Sequence, residues 1–131
     1  MMNEFDADCA IMNSGTVRSD NLYPPGPISM KTLLMMFPFE DIIVVVKVTG
    51  ADILAGLENG VSKWPAHEGR FPQVGGIRFA FDPRKPPGSR VECSSVTVKG
   101  EPIVLDKIYK MSTKPYMLEV VFCISFSARS L

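Results

Sequence analysis

Apolar and polar positions along this chain fall into short runs, and the period of each run predicts an element. Cys9-Ala10-Ile11-Met12 is a brief apolar run ending at Asn13-Ser14-Gly15. It predicts a buried strand closed by a sharp turn, since glycine takes positive φ cheaply and asparagine tolerates it better than most residues. Residues 20–29, DNLYPPGPIS, hold three prolines and a glycine and predict a connection. Ser29 is placed to cap a helix over Met30–Phe37, with Leu33, Leu34 and Phe37 on one face and Pro38 as its stop. Ile42–Val48 is a continuous β-branched run apart from Lys47, which predicts a strand covered on both faces. Thr49 and Asp52 stand at capping-box spacing, and Ile53, Leu54, Leu57 and Val61 then follow the helical period.

Farther on, Lys63–Gly76 predicts a loop and the alternation Ile77, Phe79, Phe81 a half-buried strand. Asp82–Arg90 is turn chemistry, Val91–Val98 a strand, Lys99-Gly100-Glu101 a tight turn, and Ile108–Thr113 a further strand. Strands outnumber helices without regular βαβ alternation, so the predicted class is α+β, a mixed sheet with helices packed on it. A length of 131 residues suits one domain.

Charge and composition narrow the partners. Fourteen basic and fourteen acidic residues cancel, which removes the positive excess that a nucleic acid or an anionic membrane surface selects. No apolar run approaches the ~20 residues of a membrane span, and the N-terminus MMNEFDADC has no basic stretch ahead of an apolar one, so the expectation leans to the cytoplasm. Cys9, Cys93 and Cys123 are odd in number and far apart, and predict buried free thiols.

Catalytic chemistry is sparse. His67 is the single histidine, so a metal site built from this chain would be carboxylate-only, and the pairs Asp6/Asp8 and Glu40/Asp41 read as solvated charges at strand edges. No GxSxG elbow marks a nucleophile. The glycine-rich stretch Gly69–Gly76 runs into a strand and not a helix, so it lacks the N-terminus a phosphate loop needs and reads as a shaped turn. The expectation is no catalytic residue and no metal ligand within the chain. Three side chains are suited to binding. Asn13 both donates and accepts hydrogen bonds, Arg18 carries a planar fork for a phosphate, and Phe39 is a rigid aromatic. Taken singly, an Asn-Ser-Gly turn with a solvated arginine is the commoner meaning of the first pair, and spacing alone favours a core position for Phe39.

Several spaced motifs, in order, resemble the C-terminal domain of the 5'-nucleotidase and UDP-sugar hydrolase family. They are Asn13-Ser-Gly-Thr-Val-Arg18-Ser-Asp20, Gly26-Pro-Ile28, Phe37-Pro38-Phe39, Val48-Thr49-Gly50-Ala51 with Leu57-Glu58, and Gly69-Arg70-Phe71-Pro72-Gln73-Val74-Gly75-Gly76-Ile77-Arg78. Asp82-Pro83, Pro87-Gly88-Ser89-Arg90-Val91, Tyr109-Lys110 and Thr113-Lys114-Pro115-Tyr116 complete a likeness over about residues 6–118. The resemblance implies a substrate-recognition domain that works beside an N-terminal metallophosphatase domain holding two divalent metal ions and a catalytic His–Asp pair. It implies that Asn13 contacts the base of a nucleotide substrate, Arg18 the phosphate, and Phe39 one side of a stacking sandwich. The chain departs from the family after Tyr116, where a glycine-rich turn, an Asp-Gly pair and the second aromatic are expected and an apolar stretch stands instead. The expected division is therefore a domain over 1–118 and a divergent tail over 119–131, with a non-catalytic remnant or interaction protein as the alternative reading.

Overall fold

In a computed structural model describing residues 2–19 and 21–120, four strands form a mixed sheet in the order β2-β7-β1-β3. These strands are β1 (Cys9–Asn13), β2 (Val44–Thr49), β3 (Pro72–Gly75) and β7 (Ile108–Thr113). Strand β7 runs antiparallel to β2, with Val44 opposite Thr113, and parallel to β1, with Cys9 opposite Met111. Strand β1 runs antiparallel to β3, with Asn13 opposite Pro72. A second, antiparallel sheet holds β4 (Ile77–Arg78), β5 (Thr97–Val98) and β6 (Glu101–Pro102), in that order. Helices α1 (Met30–Met36), α2 (Gly50–Val61) and α3 (Pro115–Val120) complete the described elements. This is the α+β class, a mixed sheet with packed helices.

Helix α2 seals the core. Its apolar period points Ile53 and Leu57 into a cluster with Cys9, Ile11, Val48, Tyr109 and Met111 of the large sheet and Ile77, Val96 and Val98 beside the small one. The capping box forms as expected: Thr49 Oγ1 accepts from Asp52 N (3.1 Å) and Asp52 Oδ2 accepts from Thr49 N (2.9 Å). Gly50 seats the helix start against the chain ahead of β7, where a Cβ would stand 2.2 Å from the Val104 carbonyl oxygen. At the other end, the buried Arg90 guanidinium donates through Nη1 to the carbonyls of Val61 (2.7 Å), Ser62 (3.1 Å) and Trp64 (3.0 Å). Such donors satisfy carbonyls that a helix leaves unpaired at its C-terminus. Glu58 holds the arginine's own loop, accepting from the backbone N–H groups of Gly88, Arg90 and Val91.

Several expectations are corrected. Strand β3 lies inside the stretch predicted as loop: as an edge strand it tolerates Pro72 at its first position and two-fold periodicity is not required of it. Among the described residues strand β2 is also an edge and is covered on one face, with Val48 buried and Val45 41% exposed. Its β-branched run reflects strand propensity more than burial on both faces. The 91–98 stretch is a single bridge (Phe81 with Val91), a 3-10 turn (Cys93–Ser95) and the two residues of β5. Helix α1 forms behind its Ser29 cap but buries none of its residues. The predicted buried thiol at Cys9 is buried, whereas Cys93 is exposed; Cys123 lies outside the described residues.

Candidate functional site

The strand order makes one end of the large sheet a meeting point. The carboxyl ends of the parallel neighbours β1 and β7 lie side by side there, and the antiparallel strands β2 and β3 begin there. Asn13, Lys114, the Phe39–Asp41 segment and the Gly69–Phe71 segment therefore arrive together from four distant parts of the chain. Ligands of open sheets collect at such carboxyl ends.

The turn after β1 is a 3-10 turn over Ser14–Thr16. It is tied to the start of β3: Ser14 N and Oγ donate to Phe71 O (2.9 and 2.8 Å), Gly15 N donates to Gly69 O (2.9 Å), and Gln73 Nε2 donates to Ser14 Oγ (2.9 Å). Asn13 keeps an extended backbone, with φ −81° and ψ 143°. Glycine is needed at position 15 for proximity and not for positive φ, since a Cβ there would lie 3.2 Å from Gly69 Cα and 3.1 Å from Asn13 Nδ2. The sequence motif was legible, but its physical reason differs from the expected one.

Arg18 follows the turn, and its N–H donates to the Met36 carbonyl at the end of α1 (2.8 Å). That tie brings Phe39 within reach, and the Arg18 guanidinium carbon sits 5.5 Å from the centroid of the Phe39 ring, within cation–π range. Phe39 is 51% exposed, which corrects the core position that spacing favoured. The preceding Pro38 and most of α1 are exposed as well. One ring face meets Arg18.

Asn13 is reached through a chain of polar side chains. Its Oδ1 accepts from Thr16 Oγ1 (2.7 Å), Thr16 Oγ1 accepts from Lys114 Nζ (3.3 Å), and Lys114 Nζ forms an ion pair with Asp41. Thr16 and Lys114 are buried. Asp41, expected to be a solvated edge charge, is the counter-ion of a buried ammonium, a pairing that burial of a charge requires. Sequence reasoning missed Thr16 and Lys114, whose partnership spans 98 positions and leaves no local signal. The other acidic pair is also ion-paired: Asp6 with Lys110 (3.3 Å) and Asp8 with Lys99 (2.8 Å). The Lys99 ammonium, with the Lys110 backbone N–H, holds the Asp8 carboxyl below the usual carboxylate range. Among the described residues no three His, Cys, Asp or Glu side chains converge to hold a metal ion. The arrangement can grip and orient; among the described residues it offers an amide, a guanidinium and an aromatic face.

A family model described as 5'-nucleotidase, C-terminal domain, matches residues 1–120. The chain is 32% identical over 117 residues to the 5'-nucleotidase of Diplobatis ommata, covering 85% of this chain and 20% of that protein. It is 29% identical to the protein UshA of Escherichia coli, covering 86% of this chain and 18% of that one. Among solved structures it is similar to the 5'-nucleotidase precursor of Thermus thermophilus, with a TM-score of 0.84 and 34% identity over 99% of this chain and 26% of that one. It is also similar to the NAD nucleotidase of Haemophilus influenzae, with a TM-score of 0.71 and 27% identity over 86% of this chain and 21% of that one. The chain thus spans about a quarter or less of the proteins it matches. Matched by the family model along nearly its whole length and similar in fold to a solved 5'-nucleotidase precursor, the chain belongs to the 5'-nucleotidase family, as a C-terminal domain.

Proposed function

We propose that residues 1–118 are the nucleotide-recognition unit of a 5'-nucleotidase-like phosphohydrolase acting on nucleoside monophosphates or related nucleotides. The observation that carries this reading is the stacking of Arg18 on an exposed Phe39 at the strand mouth that also carries Asn13. In this reading the Arg18 guanidinium holds phosphate oxygens through charge-assisted hydrogen bonds. The second face of Phe39 receives the base, and the Asn13 amide reads a base edge. Hydrolysis belongs to a metallophosphatase domain, encoded upstream or supplied in trans, where two divalent ions would act as Lewis acids. No described residue of this chain carries out that step.

The expected affinity is low. A charge-assisted hydrogen bond contributes about 1.5–3 kcal/mol and one stacking face about 1–3 kcal/mol. Association costs of about 4–15 kcal/mol oppose them, so a dissociation constant of about 1 mM or weaker follows. Titration of 15N-labelled protein with AMP is the test. Shifts clustered at Asn13, Arg18 and the Phe39 segment, abolished in Arg18→Ala, are expected. An unperturbed spectrum up to ~100 mM AMP, about a hundredfold above 1 mM, refutes the reading and leaves a domain that keeps the fold without the ligand.

A further inference from the structure

The Asp41–Lys114–Thr16–Asn13 chain has a direction. An ammonium has three donors and no acceptor, so any oxygen within its reach must accept from it. Thr16 Oγ1, 3.3 Å from Lys114 Nζ, therefore receives a proton, and its own single proton is given to Asn13 Oδ1 at 2.7 Å. Asn13 Oδ1 is therefore the end of the amide turned toward the buried Thr16. The Nδ2 end lies over Gly15, where the absent side chain leaves it room: a Cβ would stand 3.1 Å away. Among the described residues Asn13 Nδ2 donates to no partner. Rotating the amide by half a turn would set Nδ2 against the Thr16 hydroxyl and leave that buried proton without an acceptor.

We propose that Lys114, with Asp41 as its counter-ion, is a positioning residue that fixes the polarity of the Asn13 amide, so that the site presents a donor and selects a nucleobase bearing an acceptor at that edge. An asparagine alone is indifferent, because both halves of its amide can bond. Lys114 holds the oxygen toward Thr16 and leaves the Nδ2 donor on the side of Gly15. A ring nitrogen or a carbonyl oxygen matches the remaining donor, and a C–H at the same position does not. Asp41 offsets the buried charge and, two residues from Phe39, anchors the aromatic segment to the same ammonium. The specificity half of the proposal rests on Asn13 contacting a base, as proposed above; the polarity half does not.

The test separates the two. Lys114→Met removes the donor, Thr16→Val removes the relay while leaving the ion pair, and Lys114→Arg restores a donor. In ligand-free protein the Asn13 side-chain NH2 protons are read by NOE. In the unsubstituted protein contacts to Gly15 and Gly69 and none to the Thr16 γ-methyl are expected, with contacts to both sides in the Lys114→Met and Thr16→Val proteins. AMP is then compared with its 1-deaza, 3-deaza and 7-deaza analogues, each of which exchanges one ring nitrogen for C–H. About fivefold weaker binding of one analogue is expected, the worth of one hydrogen bond, shrinking to parity in Lys114→Met and returning in Lys114→Arg. A single unchanged amide orientation in both Lys114→Met and Thr16→Val overturns the proposal. An orientation change accompanied by no AMP binding to any variant supports the polarity control and overturns both the base selection and the recognition function.

Discussion

Arg90 offers the sharpest test of how this fold holds together. Its guanidinium closes the C-terminus of α2 and ties the 82–90 turn to it, through Nη1 to three carbonyls and through Nε to Lys85 O (3.0 Å). Replacement by methionine keeps an apolar stem of similar length and removes every donor. Nη1 has two protons for three acceptors, so one is shared, and the fully buried bond is the one to Val61 O at 2.7 Å. A charged donor in that setting contributes about 1.5–3 kcal/mol, and each half-solvated one about 0.5–1.5 kcal/mol. The bonds to Ser62 O and Trp64 O are only part-buried, which trims the total. A loss of about 3 kcal/mol is expected, a large part of the 5–15 kcal/mol typical of a domain. Urea unfolding measures it, followed by the fluorescence of the single tryptophan, Trp64, which stands beside Phe71 and Phe81 with ring centroids 5.8 Å away in each case. With a slope near 2 kcal/mol/M, the midpoint should fall by about 1.5 M. A fall of less than about 0.5 M would mean that the carbonyls find water at little cost and that Arg90 is not the clamp described.

Three further outcomes are expected. Gly50→Ala should destabilise the protein by about 1–3 kcal/mol or more, because the new methyl meets backbone and not a yielding side chain; an unchanged thermal midpoint counts against that contact. The Asp8 carboxyl has a lowered folded-state pKa caused first by Lys99, so its contribution is present above the unfolded value and is lost as pH falls below about 4 toward the folded one. The difference in urea midpoint between the unsubstituted protein and Asp8→Asn should therefore narrow through that acid range, and a gap constant down to pH 2 contradicts the ion pair. Burial pushes the Cys9 thiol up to about 12 while Cys93 is exposed. Iodoacetamide at pH 8, followed by peptide mass spectrometry, should label Cys93 in the folded protein and Cys9 only on unfolding; early labelling of Cys9 would show that its strand opens.

Local chemistry was legible wherever the partners are neighbours in sequence. Ser29 with Thr32 and Thr49 with Asp52 are three apart, and both caps formed as read. Strand β7 has the bounds its pattern implied, and the tight turn at Lys99 and Gly100 takes positive φ at both residues. What failed is equally physical. Strand β3 has no periodicity because an edge strand answers only to the backbone of β1. The apolar residues of α1 and the ring of Phe39 look like core in one dimension, since hydrophobic spacing describes an element's face and not what covers it.

The amino-acid sequence by itself determined the class of fold and the family, because each rests on residue types and motifs at short spacing. Only the tertiary structure decided which strand ends share an edge, and with it that Asp41, Lys114, Thr16 and Asn13 form one polar chain. Pairing between β2, β7, β1 and β3 depends on backbone hydrogen bonds and on burial of one common face, which bring together residues 73 positions apart. The direction of that chain follows from a buried ammonium, which can only donate.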